Sequence, residues 1–188
     1  MSASTLLLYT RKTGHVLAAA TVAAPPNGEV DAEMLAGPLL PVDHLGDPTK
    51  PDFDTAQITV PADELLVLSV DAKAVPIDQA RTHIVKLKEK TPTTLDPTKT
   101  ITGPATPTAN GFSVSFTSLS AEPTVVWARV EAANAGGSPP QTIATDVNPT
   151  GANQVLTVHV PLQALASGNY WTLVLVPGLV PSLSKITV

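Results

Sequence analysis

Residues 110–116, NGFSVSF, decide the fold class of this chain. The leading Asn-Gly pair favours a tight turn, because both residues tolerate the positive φ angles that such turns require. Phe112, Val114 and Phe116 then alternate with serines. Apolar residues at every second position place one face of an extended chain in the interior and the other in solvent. The stretch therefore predicts a half-buried β-strand.

Further short strands follow downstream at spacings of about 8–12 residues, the pattern of a β-sandwich. No long helix is predicted anywhere in the chain. The predicted strands after the first are Thr124–Ala132, Gln141–Val147, Val155–Val160, Asn169–Val176 and Ser182–Val188. In the third of these, 155–160, Leu156, Val158 and Val160 point inward, whereas Thr157 and His159 point outward. Residues 109–188 are therefore predicted to form a β-sandwich domain.

The first half of the chain is predicted to form a smaller β-rich domain, residues 1–92. It contains a long proline-rich loop at 37–55 and an ambiguous stretch at 76–90, which fits either a helix or, as we favour, a turn followed by a strand. Residues 93–108 are rich in threonine and proline, which predicts an extended linker between the domains. The other predicted strands of this half are Thr5–Thr10, His15–Ala23, Ala56–Val60 and Leu65–Asp71. The predicted fold class is thus all-β and mainly antiparallel.

Charge is unevenly distributed along the chain. Residues 1–94 carry 20 of the 27 charged side chains, and residues 95–188 carry only seven. Because a free soluble surface usually has about a quarter or more charged residues, the second half is expected either to be a weakly charged module or to be covered by partners. The one basic cluster, Lys86, Lys88 and Lys90, stands beside Glu89 and is interpreted as a solvated strand face. We therefore expect no nucleic-acid partner.

Several other classes of protein are disfavoured by composition. The absence of cysteine excludes disulfides, thiolate metal sites and cysteine nucleophiles. Apolar runs such as 173–180 are much shorter than the roughly 18 residues of a membrane helix. Arg11 and Lys12 follow the first apolar run, so no Sec-type signal is expected. We expect cytoplasmic synthesis, which is compatible with incorporation into a released or extracellular particle.

The segment from Leu156 to Pro177 contains a strand, a short turn and a strand that opens with a tyrosine. It resembles the corner between the fifth and sixth strands of immunoglobulin-like and fibronectin type III modules, in which a leucine, a glycine and a tyrosine recur in that order. The resemblance covers residues 109–188 and implies structural roles for Leu165, Gly168 and Tyr170, with the tyrosine hydroxyl bonded to nearby backbone. It also implies a buried Trp127. Both antibody cysteines are missing, so the similarity is to bacterial or fibronectin-like modules.

The sequence contains no phosphate-binding loop, zinc-protease helix or serine nucleophile elbow. The densest group of possible metal ligands lies in the proline-rich loop and comprises Asp43, His44, Asp47, Asp52 and Asp54. Their spacing matches no Ca²⁺ loop, and aspartate near proline is common in turns. These residues are therefore weak candidates, and no cofactor, metal or catalytic site is predicted.

From these observations we expect a non-enzymatic structural subunit that packs against other chains of a larger bacterial complex as a homo- or hetero-oligomer. Phage-tail-like and injection-type particles are one setting that uses such subunits. A second basis for this expectation is that Thr5–Thr10 and Asn169–Val176 are apolar on both faces. The alternatives are a carbohydrate- or peptide-binding module that uses the loops at 133–142 and 37–55, and a small hydrolase that uses Asp52 and Asp54.

Overall fold

The structure is a computed structural model that describes residues 3–23, 30–43, 57–134 and 136–188. Within these residues the chain is all-β and mainly antiparallel, as the period-two patterns predict. It divides into two compact units, which we call unit 1 (Met1–Leu40 with Val60–Leu95) and unit 2 (Pro41–Thr59 with Asp96–Val188).

Unit 1 is built around a three-stranded antiparallel sheet in the order β2-β1-β5. A short helix, α1 (Ala32–Ala36), begins at Asp31, whose side chain accepts a hydrogen bond from the Met34 amide at 2.7 Å. The strands of the first half of the chain are β1 (Ser4–Thr10), β2 (Val16–Val22), β3 (Leu39–Asp43), β4 (Gln57–Pro61), β5 (Leu65–Asp71), β6 (His83–Lys86) and β7 (Thr91–Thr94). β3 pairs with β4, and β6 pairs with β7.

The turn between β1 and β2 depends on a glycine and a buried polar network. Gly14 has a φ of 78°, and a Cβ there would lie 2.1 Å from the Val85 carbonyl oxygen, so only glycine fits. The Thr10 hydroxyl accepts a hydrogen bond from the backbone amide of buried His15 at 3.0 Å. The Thr13 hydroxyl lies 2.9 Å from His15 Nδ1. These bonds satisfy polar groups that would otherwise destabilise the apolar core of unit 1.

Unit 2 consists of two antiparallel sheets that enclose one apolar cluster. The three-stranded sheet has the order β12-β9-β8, and the four-stranded sheet has the order β11-β10-β13-β14. The cluster between them includes Phe112, Phe116, Val130, Tyr170 and Val174, all at most 1% exposed. The strands are β8 (Ile101–Thr108), β9 (Gly111–Thr117), β10 (Thr124–Ala132), β11 (Gln141–Val147), β12 (Val155–Pro161), β13 (Asn169–Leu175) and β14 (Ser182–Thr187).

The predicted linker at 93–108 is wrong for most of its length, because Ile101–Thr108 form β8 and pair with β9. β8 is an edge strand, where proline removes no ladder hydrogen bond that a neighbour needs. Its register shifts between Thr102 and Thr106, so Gly103 and Pro104 lie outside regular pairing. β7 (Thr91–Thr94) also enters the predicted linker, and the division between the units falls between Leu95 and Asp96.

Two other interpretations of the first half are refined. The stretch at 76–90 is a turn followed by a strand, with a 3-10 turn at Ile77–Thr82 before β6. The strand is shorter than the stretch, because Leu87 already lies in the turn after β6, where it is 40% exposed. The predicted loop 37–55 contains β3, and residues 44–55 lie outside the described part of the chain.

Candidate interaction surface

The outer face of the three-stranded sheet in unit 2 is made almost entirely of hydroxyl side chains. Alternation in β8, β9 and β12 sends apolar residues into the cluster and their neighbours outward. The register aligns Thr102 and Thr157 on either side of Ser115, and it aligns Thr106 and His159 on either side of Ser113. The outward residues, which we call the hydroxyl face, are Thr102, Thr106, Thr108, Ser113, Ser115, Thr117, Val155, Thr157 and His159.

The hydroxyl face carries no carboxylate, ammonium or guanidinium group. Across the strands, Ser115 Oγ and Thr157 Oγ1 are 2.9 Å apart, and Thr108 Oγ1 lies 3.4 Å from His159 Nδ1. Val155 at one end is 72% exposed. The face can therefore donate and accept hydrogen bonds over three strands, and a partner would not have to strip water from an ion to meet it.

The sequence pattern predicted the outward positions of β9 and β12, including His159, correctly. It missed Thr102, Thr106 and Thr108, because we interpreted their segment as a linker. The signal that could have found them is the placement of Ile101 and Ala105, both buried, between the outward threonines. Proline and glycine masked this alternation, since both usually interrupt strands.

The outer face of the four-stranded sheet has the opposite character. Trp127 and Arg129 of β10 and Leu173 and Leu175 of β13 project from it, and all four are at most 7% exposed. Trp127 is buried, as the resemblance implied, but it lies outside the cluster between the sheets, because Val126, Ala128 and Val130 occupy the inward positions. β13 is thus buried on both sides.

Within unit 2, a cluster of polar side chains holds Thr59 onto this outer face. The Glu131 carboxylate accepts hydrogen bonds from the backbone amide and the hydroxyl of Thr59, each at 2.9 Å. Arg129 donates to the Thr142 hydroxyl at 2.9 Å, and its Nε lies 4.0 Å from Glu131 Oε2. Sequence reasoning missed this group, because residues 59 and 131 are far apart in the chain and neither belongs to a motif. Its geometry is that of a structural clamp.

Tyr170, the tyrosine to which the resemblance assigns a structural role, joins the β12–β13 connection to the β10–β11 connection. Tyr170 Oη donates a hydrogen bond to the Ala166 carbonyl at 2.8 Å and accepts one from the Ser138 amide at 3.2 Å. Leu165 packs against the apolar cluster, and the Gly168 amide bonds to the Val188 carbonyl at 2.9 Å. The Tyr170 hydroxyl thus ties Ser138, in the loop at 133–142 that was an alternative binding loop, to the connection before β13.

The weak metal candidates are not brought into a described site. Asp43 ends β3, but its side chain and the residues His44, Asp47, Asp52 and Asp54 lie outside the described part of the chain. Among residues whose side chains are described, no three histidine, aspartate or glutamate side chains form a group suited to a metal ion. Nor does any described helix have the length and apolar character needed to cross a membrane.

Comparison of the chain with protein families, with curated proteins and with solved structures finds no match.

Proposed function

We propose that this chain is a non-enzymatic structural subunit of a larger bacterial protein complex and that the hydroxyl face is a surface through which it packs against another chain. The observation that carries the proposal is an exposed three-stranded face without a carboxylate, ammonium or guanidinium group. Free surfaces are normally rich in charged side chains, which keep them solvated and apart. In a chain with a net charge of −5, a second acidic protein meets the least repulsion at a face that carries no carboxylate.

A second basis offered by the sequence does not support this proposal. The strands β1 and β13 are apolar on both faces, which suggested surfaces that other chains cover. In the folded chain, Leu6 to Tyr9 of β1 and Tyr170 to Leu175 of β13 are all at most 8% exposed. These strands therefore leave no apolar face that needs a partner.

The fold supports the proposed resemblance to a fibronectin type III-like module in two ways. Unit 2 has three strands facing four, and Tyr170 bonds to backbone four residues upstream, as in the tyrosine corner of such domains. This resemblance concerns architecture only, because the fold hosts many functions. A solved structure of unit 2 with a different strand order would contradict it.

The proposal is tested by placing charge on the hydroxyl face. Ser115→Lys and Thr157→Lys are surface changes, so each should alter the free energy of unfolding by no more than about 0.5 kcal/mol. We expect both to reduce self-association, or capture of a partner, measured by light scattering and affinity pull-down of the full chain. Ala144→Lys is the matched control, because Ala144 is also an exposed strand position but lies on β11 of the other sheet.

Two outcomes would contradict the proposal. One is a full-length chain that stays monomeric at high concentration and recovers no partner. The other is an equal effect of Ala144→Lys and Thr157→Lys, which would indicate a general response to added charge.

The alternative is a carbohydrate- or peptide-binding module. Sugar binding usually uses an exposed aromatic ring, but Tyr170 is in the core and Trp171 is 8% exposed beneath the Lys185 ammonium. Among the described residues, the hydroxyl face is a surface that could provide hydrogen bonds to a sugar. A glycan array with wild type and Thr157→Lys separates the two functions, because only a lectin would bind a glycan and lose it in the variant.

A further inference from the structure

A preformed apolar hollow of about 270 Å³ lies at one end of unit 2, between the β9–β10 and β13–β14 connections. Phe116 and Leu179 are among its buried residues, and Leu119 and Pro177 are among its partly exposed ones. Drug-sized ligands occupy about 300–1,000 Å³. The hollow is therefore sized for one large side chain with part of its backbone.

Ser118, which lines the hollow, fixes the end of β9 to the β11–β12 connection, which contributes Pro149 to the lining. Its hydroxyl donates to the Gly151 carbonyl at 2.7 Å and accepts from the Gln154 amide at 3.0 Å. Its own amide donates to the Gln154 carbonyl at 2.9 Å. This side of the hollow is therefore fixed before an occupant binds, which lowers the free energy lost to ordering it.

The hollow also specifies the charge of its occupant. Glu122 is exposed and is the one ionisable residue among those that line it. The complementary group is an exposed apolar side chain with a cation beside it. Among the exposed large apolar side chains that the structure describes, only Leu87 has a lysine or arginine within two residues. Met34 and Ile77, by contrast, stand next to Glu33 and Asp78, which Glu122 would repel.

Leu87 is presented on a defined turn, which we call the basic tip (Lys86–Lys90). The Lys90 amide donates to the Lys86 carbonyl at 2.8 Å, which closes the turn between β6 and β7. Lys86 Nζ lies 3.5 Å from the Glu89 carboxylate. Glu89 offsets only one of the three lysines, so the tip keeps a net positive charge around Leu87.

We propose that the basic tip of one copy of this chain inserts Leu87 into the hollow of a second copy, with Lys88 near Glu122. The two surfaces differ, so the contact is head-to-tail and builds rings or open filaments. The buried leucine provides most of the affinity, and the charges align the partners. This contact is separate from the hydroxyl face and does not depend on it.

The first test is sedimentation velocity of the full chain at low salt over rising concentration. Wild type should form progressively larger species. Leu87→Asp should weaken association by about tenfold or more, since it places a carboxylate in an apolar hollow beside another carboxylate. Ile77→Asp is the matched control, because Ile77 is 52% exposed in the same unit, and it should leave association unchanged.

The second test reverses the charges. Lys88→Glu and Glu122→Lys should each weaken association, and both changes in one chain should restore it. A mixture of Leu87→Asp with Glu122→Lys should stop at pairs, because only one intact tip and one intact hollow remain. Circular dichroism checks that each variant is folded.

Three outcomes would each overturn the proposal. Wild type could remain a monomer at every concentration, or Leu87→Asp and Ile77→Asp could have equal effects. The third outcome is that the combined charge reversal fails to restore association. The hydroxyl face is judged by Thr157→Lys alone. If association responds to Leu87→Asp and not to Thr157→Lys, the head-to-tail contact stands and the hydroxyl face is not the surface that packs.

Discussion

The two sheets of unit 2 share one apolar cluster, but their outer faces have opposite surroundings. The three-stranded sheet exposes serine and threonine, with Val155 as the one aliphatic side chain on that face. The four-stranded sheet carries Trp127, Leu173 and Leu175 on its outer face, and all three are fully buried. Alternation with a period of two residues therefore determines which side chains lie on the same face of a strand. Whether that face contacts protein or water depends on its amino-acid composition.

The strongest test of this difference removes an aliphatic side chain from each outer face. Leu173→Ala should lower the free energy of unfolding by about 2–5 kcal/mol, because it loses buried surface and leaves a cavity. Val155→Ala on the hydroxyl face should change it by less than about 0.5 kcal/mol. Denaturant unfolding measures both, and similar losses in the two variants would mean that the outer faces do not differ in burial.

A smaller effect is expected from the clamp on the four-stranded sheet. Glu131→Ala leaves the amide and hydroxyl of Thr59 without their carboxylate acceptor. The expected loss in the free energy of unfolding is about 1.5–3 kcal/mol, the range for hydrogen bonds to a charged group. Thr59→Val combined with Glu131→Ala should cost less than the sum of the single changes, since they share one contact. Additive losses would show that the clamp is not a unit.

Two hydrogen bonds of equal length sharpen the comparison further. Arg129 to Thr142 and Ser115 to Thr157 are both 2.9 Å, but the first involves a buried guanidinium and the second is exposed. Thr142→Val should destabilise unit 2 by about 1 kcal/mol or more, whereas Thr157→Val should be near neutral. The reverse order would indicate that the hydroxyl face contributes to stability and is not merely a surface.

The strands that the sequence predicts well have a clean contrast between neighbours. In β9, phenylalanine and valine alternate with serine, so apolar residues mark the buried face and serines mark the outer face. In β8 only Ile101 and Ala105 are buried, and a register shift between Thr102 and Thr106, where Gly103 and Pro104 lie, interrupts the alternation. Proline is excluded from central strands but allowed at edges. Because the edge position of β8 follows from pairing and not from local sequence, its strand could not be recognised in advance.

The candidate site was less predictable than the fold for a similar reason. The outward residues of β9 and β12 follow from alternation, but the face they form needs the register between strands. The clamp joins Thr59 to Glu131 across 72 residues. No local pattern records such pairings. Trp127 was correctly expected to be buried, but β10 has apolar residues on both faces, so alternation gave no choice of side.

The smallest effect concerns the turn that leads into the hydroxyl-faced sheet. The Thr98 hydroxyl and amide donate to the Asp96 carboxylate at 2.7 and 3.0 Å, and these bonds, the hydroxyl foremost, hold the pKa of Asp96 below its usual value of 3.8. A lowered pKa in the folded chain means that the unfolded chain takes up the proton first, so the stabilisation is present above 3.8 and disappears as the pH falls through the lower folded value.

Asp96→Asn should therefore flatten the acid limb of the unfolding free energy, with little change at neutral pH. Asp146→Asn is the control, because Asp146 is an exposed carboxylate on the other sheet. If both variants give the same acid limb as wild type, the turn at Asp96 does not contribute to the pH dependence.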